Sequence, residues 1–197
     1  MAVQEQTFIF MDLVGFTALS AEQGDDGAAD VAFRFYGNVR DLLTDHCAEE
    51  IKTIGDAMMI RCDDPRLAIC LGLRVVDRME ARGLPPVRVG VHTGSAVCRD
   101  GDWYGHGVNV AARLCSAAGG GEVLVSEATG EAAGSLHRIK LGEPQLHWLK
   151  NIPQPVAARP AYEQECSERP RPKQVLAKLA RLRPAGAIGM GRPEVIG

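Results

Sequence analysis

The segments FIFMDLVGFT (residues 8–17) and EIKTIGDAMMI (residues 50–60) organise the rest of this chain. Each places an aspartate, Asp12 or Asp56, in a short apolar run that predicts a buried strand. An unpaired carboxylate is costly to bury, so a strand retains one where a cation meets it, and a divalent metal ion is the obvious candidate. Shortly after Asp12, Gly15-Phe16-Thr17 predict a turn whose backbone N–H groups can face an anion. Together, a metal and an anion indicate a phosphorylated substrate.

Outward from these segments, the hydrophobic pattern alternates between strand and helix periodicity. The predicted elements, in chain order, are a strand over 6–14, a helix over 27–46, a hairpin with strands to Ile54 and through Ile60, a helix over 65–82, a strand over 87–98, a helix over 107–117, a strand running into a helix start over 122–129, and two final strands with a turn at 151–155. The β-α-β-β-α-β order predicts an α+β fold with a ferredoxin-like core, followed by C-terminal αβ and ββ extensions.

The bulk composition is typical of a globular protein. The 197 residues are 46% hydrophobic and 24% charged, which favours one domain with a sizeable core. The net charge of −3 gives no nucleic-acid signature, so no nucleic-acid partner is predicted. Six cysteines without a CxxC pair, and no signal peptide, predict reduced thiols and a cytoplasmic location. The most apolar stretch, 67–76, is short and interrupted by Arg74, which predicts no transmembrane segment.

Charge and composition change near residue 167. Residues 167–197 hold seven Lys/Arg and two Asp/Glu, whereas residues 1–166 carry a net charge of −8. We therefore predict one domain over 1–166 and a basic, Pro/Gly-rich tail over 167–197 with one short helix, KQVLAKLARLR. A flexible tail, a helix that docks on this chain or on a partner, and a helix that binds an anionic membrane surface are three open interpretations.

Four separated motifs follow one another along residues 6–163. They are FxDLVGFT (Phe10–Thr17), KTIGD (Lys52–Asp56), VGVHTG (Val89–Gly94) and DWYGHGVNVAAR (Asp102–Arg113). In this order they resemble the catalytic domain of the class III nucleotidyl cyclases, which make 3′,5′-cyclic nucleotides from nucleoside triphosphates. The resemblance implies an adenylate cyclase of the soluble bacterial type, a lyase that converts ATP to cyclic AMP and pyrophosphate in signal transduction.

By the same resemblance, Asp12 and Asp56 match the two aspartates that hold two Mg²⁺ or Mn²⁺ ions in this family. Cyclisation requires in-line attack of the ribose 3′-hydroxyl on the α-phosphorus. One metal ion can lower the pKa of that hydroxyl while the second neutralises the triphosphate. The match also implies that Gly15, Phe16 and Thr17 supply backbone donors to the phosphates.

Lys52 and Asp102 match the positions that read the base in adenylate-forming members. Adenine offers N1 as an acceptor and its 6-amino group as a donor, which suit an ammonium and a carboxylate respectively. Guanine reverses both polarities, and guanylate-forming members resemble this pattern with Glu and Cys at those positions. The resemblance therefore implies ATP as the substrate.

Three further residues take roles from the resemblance. Asn109 and Arg113 lie four residues apart and so share one helix face. In the family the matching Asn positions the ribose, and the matching Arg stabilises charge developing on the phosphate. Lys150 resembles a late lysine that contacts the triphosphate, although Asn151 stands where glycine is usual.

The family builds each active site from two subunits, and this chain carries both sets of residues. The resemblance therefore implies a head-to-tail homodimer with two composite sites. Two alternatives stay open: a guanylate or mixed-specificity cyclase, and a catalytically silent nucleotide-binding regulatory module. A diguanylate cyclase is disfavoured because IGDAM stands in place of a GGDEF-type hairpin.

Overall fold

The computed structural model of the protein describes residues 3–164, and the predicted tail at 167–197 with its short helix lies outside them. Strands and helices alternate along the described range. They are β1 (Gln4–Leu13), α1 (Phe16–Leu43), a 3-10 turn (Thr44–His46), β2 (Ala48–Ile54), β3 (Ala57–Cys62), α2 (Pro65–Ala81), β4 (Val87–Arg99), β5 (Asp102–Tyr104), α3 (His106–Ala117), β6 (Val123–Ser126), α4 (Glu127–Ala133), β7 (Ile139–Leu141), β8 (Gln145–His147) and β9 (Val156–Glu163).

A single large sheet runs in the order β2-β3-β1-β4-β6-β9-β7, with β5 paired to β4 and β8 paired to β9. Its first four strands are all antiparallel neighbours. This arrangement confirms the predicted ferredoxin-like core, in which β3 and β1 are the central strands and β2 and β4 flank them. Strand β6 continues the sheet parallel to β4, and the remaining elements form the C-terminal extension. None of the helices within residues 3–164 is both long and apolar enough to cross a membrane.

The two faces of β1 pack against different helices. Ile9 and Met11 are fully buried in the larger core, which α1 and α2 cover. Phe8 and Phe10 lie on the other face, in a smaller cluster that includes residues of α3. Successive strand residues point to opposite faces, so Asp12 shares the face of Phe8 and Phe10.

Gly90 in β4 allows α3 to approach this second face closely. A Cβ atom built on Gly90 would lie 2.6 Å from the carbonyl oxygen of Ala111 and 2.8 Å from Cα of Cys115. No side chain larger than hydrogen fits at that separation. Gly90, the first glycine of the VGVHTG motif, therefore allows the helix that carries Asn109 and Arg113 to pack directly against β4.

Helix α1 begins earlier than the predicted residue 27. It starts at Phe16 and contains a kink at Gly24, where φ is 77° and ψ is 170°. The segment before the kink is largely exposed, so it lacks the three-and-four spacing of apolar residues by which the second segment is recognised. The prediction was wrong for this first segment and right for the second.

The structure differs from the prediction in short strands at two places, a loop predicted to be irregular and the C-terminal region. Strand β5 pairs with the end of β4 through Asp100 and Gly101, both with positive φ, and this Asp-Gly turn is a hairpin signal that the prediction did not use. The C-terminal region has three strands in place of the predicted two. The first predicted strand is divided into β7 and β8, and each of these is only three residues long. The other predicted helices and strands are confirmed to within two residues at most boundaries.

Candidate active site

Asp12, at the end of β1, is paired with an arginine from the neighbouring strand. Arg88 lies directly opposite Asp12 in the β1–β4 register. Its Nε donates to Oδ2 of Asp12 at 2.8 Å, and its Nη2 donates to the same oxygen. Both contacts fall on Oδ2, and the carboxylate is only 17% exposed. The guanidinium thus gives a largely buried carboxylate an oppositely charged partner.

Asp56 lies in the two-residue turn between β2 and β3, beside Asp12. Asp12 is in register with Ala57, the residue after Asp56, and the backbone N–H of Leu13 donates to the carbonyl oxygen of Asp56 at 3.4 Å. Burial, followed by the negative charge of Asp12, raises the pKa of Asp56. Two carboxylates that repel each other in this way create a local demand for positive charge.

The donor set of this pair fits a magnesium-type ion. Both aspartates offer carboxylate oxygens, and no cluster of three His, Cys, Asp or Glu side chains occurs in the described part of the chain. Mg²⁺ is commonly bound by one or two carboxylates together with substrate phosphates and water. Asp12 and Asp56 could hold divalent ions of that kind with a triphosphate, whereas a fully protein-ligated metal centre would need more donors.

The residues Gly15, Phe16 and Thr17 begin α1 instead of forming a free turn. Gly15 is the N-cap, with φ at 79° and ψ at 15°, and no side chain caps the helix. The first N–H groups of an α-helix have no partner within the helix, and the helix dipole favours an anion there. These residues therefore present backbone N–H groups at a helix end that begins shortly after Asp12.

Lys52 and Asp102 meet although they are 50 residues apart in sequence. Nζ of Lys52, on β2, lies 2.6 Å from Oδ2 of Asp102, at the start of β5. The other oxygen of Asp102 accepts a hydrogen bond from the backbone N–H of Trp103 at 2.8 Å. The hydrogen bond from Lys52 lowers the pKa of Asp102. Lys52 is in register with Met59, a member of the cluster on the α3 face, so the pair lies on the same side of the sheet as Asp12.

Asn109 and Arg113 occupy the outer side of α3. Ala111 and Cys115 are buried against the sheet, whereas Asn109 and Arg113 are both exposed and one helical turn apart. Neither forms an ion pair with Asp12, Asp56 or Asp102 within the described range. The structure thus places them on the predicted shared face, but not in contact with the aspartates of the same chain.

Lys150 is exposed in a turn after β8, and Asn151 follows it with φ at 64°. This left-handed conformation is the one that glycine adopts readily and asparagine tolerates better than most residues. Asn151 therefore adopts a backbone conformation that a glycine at this point could also adopt.

Arg88 was absent from the residues selected by sequence. A signal was available, since Arg88 interrupts an otherwise apolar strand, VRVGV, and a charged residue inside such a strand needs a partner. The sequence alone does not show that this partner is Asp12. That pairing depends on the register between β1 and β4.

A network of hydrogen-bonded polar side chains connects β4 with β6 and α4. Nδ1 of His92 is 2.9 Å from Oγ of Ser126, which is 2.9 Å from Oγ1 of Thr129. Thr129 in turn accepts a hydrogen bond from the backbone N–H of Thr93 at 2.7 Å. Burial, with a smaller effect of nearby His106, lowers the pKa of His92 to about 4. His92 is therefore neutral near pH 7 and links β4 to β6 and α4.

Comparisons with known proteins show the family of this chain. The sequence model of the adenylate and guanylate cyclase catalytic domain matches residues 2–144. A pH-sensitive adenylate cyclase from Mycobacterium tuberculosis is 41% identical over 132 residues, 66% of this chain and 33% of that protein. An adenylate cyclase from Streptomyces griseus is 35% identical over 120 residues, 60% of this chain and 30% of that protein. The chain spans about a third of the length of these curated relatives.

Solved structures show the same fold. The adenylyl cyclase CyaB from P. aeruginosa has a TM-score of 0.72 at 22% identity, covering 84% of this chain and 98% of that one. The guanylyl cyclase Cya2 has a TM-score of 0.71 at 21% identity, covering 85% of this chain and 96% of that one. At these identities the likeness concerns the fold alone, and the fold is common to enzymes named for either base. By its sequence match, this chain belongs to the adenylate and guanylate cyclase catalytic domain family.

Proposed function

We propose that this chain is an adenylate cyclase domain that converts ATP to 3′,5′-cyclic AMP and pyrophosphate. One observation carries the proposal: the Lys52–Asp102 pair, at 2.6 Å, lies on the same face of the sheet as Asp12. The base-reading pair and the metal-holding aspartates thus lie on one surface of the chain, so a head-to-tail partner would bring the base-reading pair of one subunit to the metal site of the other. The curated relatives named adenylate cyclase support the same conclusion.

Asp12 and Asp56 would hold two divalent cations, Mg²⁺ or Mn²⁺, together with the triphosphate. When bound, such ions neutralise phosphate charge and lower the pKa of the ribose 3′-hydroxyl. Asp12 can serve as a ligand through Oδ1, because Arg88 contacts only Oδ2. The guanidinium of Arg88, beside Asp12, would contact the triphosphate there, since its planar array of donors suits phosphate oxygens.

The helix end at Gly15, Phe16 and Thr17 would bind the phosphates through backbone N–H groups. Lys150, on its exposed turn, would add a positive charge to the triphosphate. These contacts orient the α-phosphorus and the leaving pyrophosphate. In-line attack depends on that orientation.

Lys52 would donate to N1 of adenine, and Asp102 would accept from the 6-amino group. The two side chains form an ion pair with each other, which supports their acting as one unit on the base. Guanine presents a donor at N1 and an acceptor at O6. Its N1 donor would therefore face the ammonium of Lys52, which is also a donor, and its O6 acceptor would face the carboxylate of Asp102, which is also an acceptor. This double mismatch favours ATP.

Asn109 and Arg113 would orient the ribose and stabilise charge on the transferring phosphate, respectively. Their exposure on α3 supports a head-to-tail homodimer in which they act, with Lys52 and Asp102 of the same chain, on the partner's metal site. Two equivalent composite sites follow from the two-fold symmetry.

A cyclic AMP assay with ATP and either Mg²⁺ or Mn²⁺ tests this function directly. We expect activity from the full chain and from a chain ending at Gln164, because we propose that residues 1–166 form the catalytic domain. Asp56→Ala should lose that activity. Normal activity in Asp56→Ala would contradict the metal assignment, and faster turnover of GTP than ATP would favour a guanylate or mixed-specificity enzyme. Nucleotide binding without turnover in either metal would indicate a silent regulatory module.

A further inference from the structure

Tyr36, on the second segment of α1, is a buried residue with a polar end. Its side chain is 7% exposed and belongs to the main core. The ring packs against Phe35 at a centroid distance of 5.6 Å and against Phe33 at 6.1 Å. A buried tyrosine hydroxyl normally requires a hydrogen-bond partner. The identity of that partner links α1 to the candidate metal site.

The Tyr36 hydroxyl donates to the carbonyl oxygen of Gly55. Gly55 is the first residue of the turn between β2 and β3, has φ at 62°, and immediately precedes Asp56. The turn is short and Gly55 is exposed, so it gains little restraint from packing around Gly55. The hydroxyl of Tyr36 therefore holds the peptide group that connects Gly55 to Asp56.

The same turn is also held from the side of β1. The backbone N–H of Leu13 donates to the carbonyl oxygen of Asp56 at 3.4 Å. One hydrogen bond thus ties each of the two turn residues, from α1 on one side and from β1 on the other. Of the two, the contact to Gly55 depends on a side chain and can be removed by substitution.

Tyr36 is itself braced against the hairpin. The guanidinium of Arg40, one helical turn later, lies 5.7 Å from the centroid of the Tyr36 ring. Arg40 also forms two hydrogen bonds, at 2.6 and 2.7 Å, to the carboxylate of Glu50 on β2. The phenol is therefore positioned relative to β2 as well as to the turn.

A restraint on this turn has a physical purpose, because Asp12 and Asp56 repel each other and Asp56 is partly buried. Without a tie, the flexible turn would relieve that repulsion by moving away from β1. We propose that Tyr36 is a positioning residue, which holds Asp56 at the separation from Asp12 that shared divalent cations need. This inference rests on the proposed metal site of the cyclase.

The variant Tyr36→Phe tests the inference, since it removes the hydroxyl and retains the ring. Binding of Mn²⁺ would be measured by calorimetry in the presence of 2′,3′-dideoxy-ATP, which has no 3′-hydroxyl and cannot be cyclised. We expect roughly fivefold weaker binding of the Mn²⁺ complex, the factor expected for the loss of one hydrogen bond. In the activity assay, half-maximal activation should need a similarly higher Mn²⁺ concentration, and excess Mn²⁺ should restore kcat. Tyr162→Phe is the matched control, because Tyr162 is 53% exposed on β9.

The outcomes separate this inference from the proposed function. Unchanged Mn²⁺ binding in Tyr36→Phe, with binding lost in Asp56→Ala, would overturn the role of Tyr36 alone. Unchanged binding in Asp56→Ala would overturn the metal site itself. A kcat of Tyr36→Phe that excess Mn²⁺ fails to restore, accompanied by a lower unfolding temperature, would show a structural role and also overturn the inference.

Discussion

Nζ of Lys52 lies 2.6 Å from Oδ2 of Asp102, so the two side chains proposed to read the base form an ion pair with each other. The pair joins β2 to β5, and the second oxygen of Asp102 is fixed by the backbone N–H of Trp103. Neither side chain therefore has to be ordered from solvent when a nucleotide arrives. This preorganisation reduces the entropic cost of selecting adenine.

Replacing both residues of this pair should change the preferred base. In Lys52→Glu/Asp102→Cys, the carboxylate can accept from N1 and the amino group of guanine, and the unfavourable carboxylate opposite O6 is gone. We expect the ratio of kcat/KM for ATP to that for GTP to fall by about 100-fold, since polar mismatches at a reading site discriminate strongly. Steady-state assays with both nucleotides measure the ratio. Lys140→Glu, on β7, is the control, and an unchanged ratio in the double variant would contradict the assignment.

Asp56→Asn should stabilise the fold while removing activity. Burial, followed by the charge of Asp12, raises the pKa of Asp56 above that of an unfolded chain. The folded state therefore binds this proton more tightly, and it loses stability as the pH rises from the unfolded pKa through the folded one. At pH 7 the amide removes that cost, and we expect the unfolding temperature of the ligand-free protein to rise by about 2 °C. This increase in the unfolding temperature should disappear near pH 3.

Calorimetric or fluorescence-monitored melting would measure this difference. The exposed Asp26 supplies the control, as Asp26→Asn removes one negative charge from α1 at a position far less enclosed than the turn. A lower unfolding temperature for Asp56→Asn than for the parent chain would contradict the expectation.

His92 should make stability fall in mild acid. Burial lowers its pKa to about 4 in the folded state, against an ordinary value of 6.5. The unfolded chain therefore takes up a proton as the pH falls from 6.5 towards 4, while folded His92 stays neutral, and stability is lost over this window. One proton over that interval corresponds to roughly 3 kcal/mol.

Urea unfolding at a series of pH values would show this component, and His92→Asn should lack it. The amide of Asn can take the place of Nδ1 beside Ser126 without titrating. His137→Asn, at an exposed position, should retain the parent profile. Parallel profiles for His92→Asn and the parent chain would show that His92 is not the group responsible.

Complementation tests the shared site. Asp12→Ala and Arg113→Ala should each be inactive alone, because each dimer of one kind lacks a group from both sites. An equimolar mixture that exchanges subunits randomly should recover about a quarter of the parent activity, since half of the dimers have one intact site. Cyclic AMP production by the mixture is the measurement. Mixtures as inactive as either parent would show that each site lies within one chain.

The sequence was sufficient for the core of the fold, and the reason lies in its periodicity. The apolar runs around Asp12 and Asp56, and the regular spacing in the second segment of α1, fix the βαββαβ order without reference to tertiary contacts. The first segment of α1 was missed because it is mostly exposed and interrupted by Gly24. An exposed helical segment has no periodic apolar face, so its sequence pattern does not identify it.

The residues of the candidate site likewise divide into those that the sequence could identify and one that it could not. Asp12 and Asp56 stood out because carboxylates are unusual within apolar strand segments, whereas Lys52 and Asp102 stood out only through the resemblance of their motifs to the cyclase family. Arg88 did not, because its importance lies in a cross-strand register, Asp12 opposite Arg88, that only the folded sheet displays. The roles of Asn109, Arg113 and Lys150 stay predictions, and the structure adds that all three are exposed.

The close seating of α3 on Gly90 limits how such an enzyme can be regulated. Backbone atoms of Ala111 and Cys115 rest against the strand with no side chain between them, so the helix has little freedom to slide or tilt. Asn109 and Arg113 must then travel with β4 as one rigid body. In the proposed homodimer, a regulating signal would then act on these residues by rotating whole subunits against each other, because α3 and its sheet move as one unit.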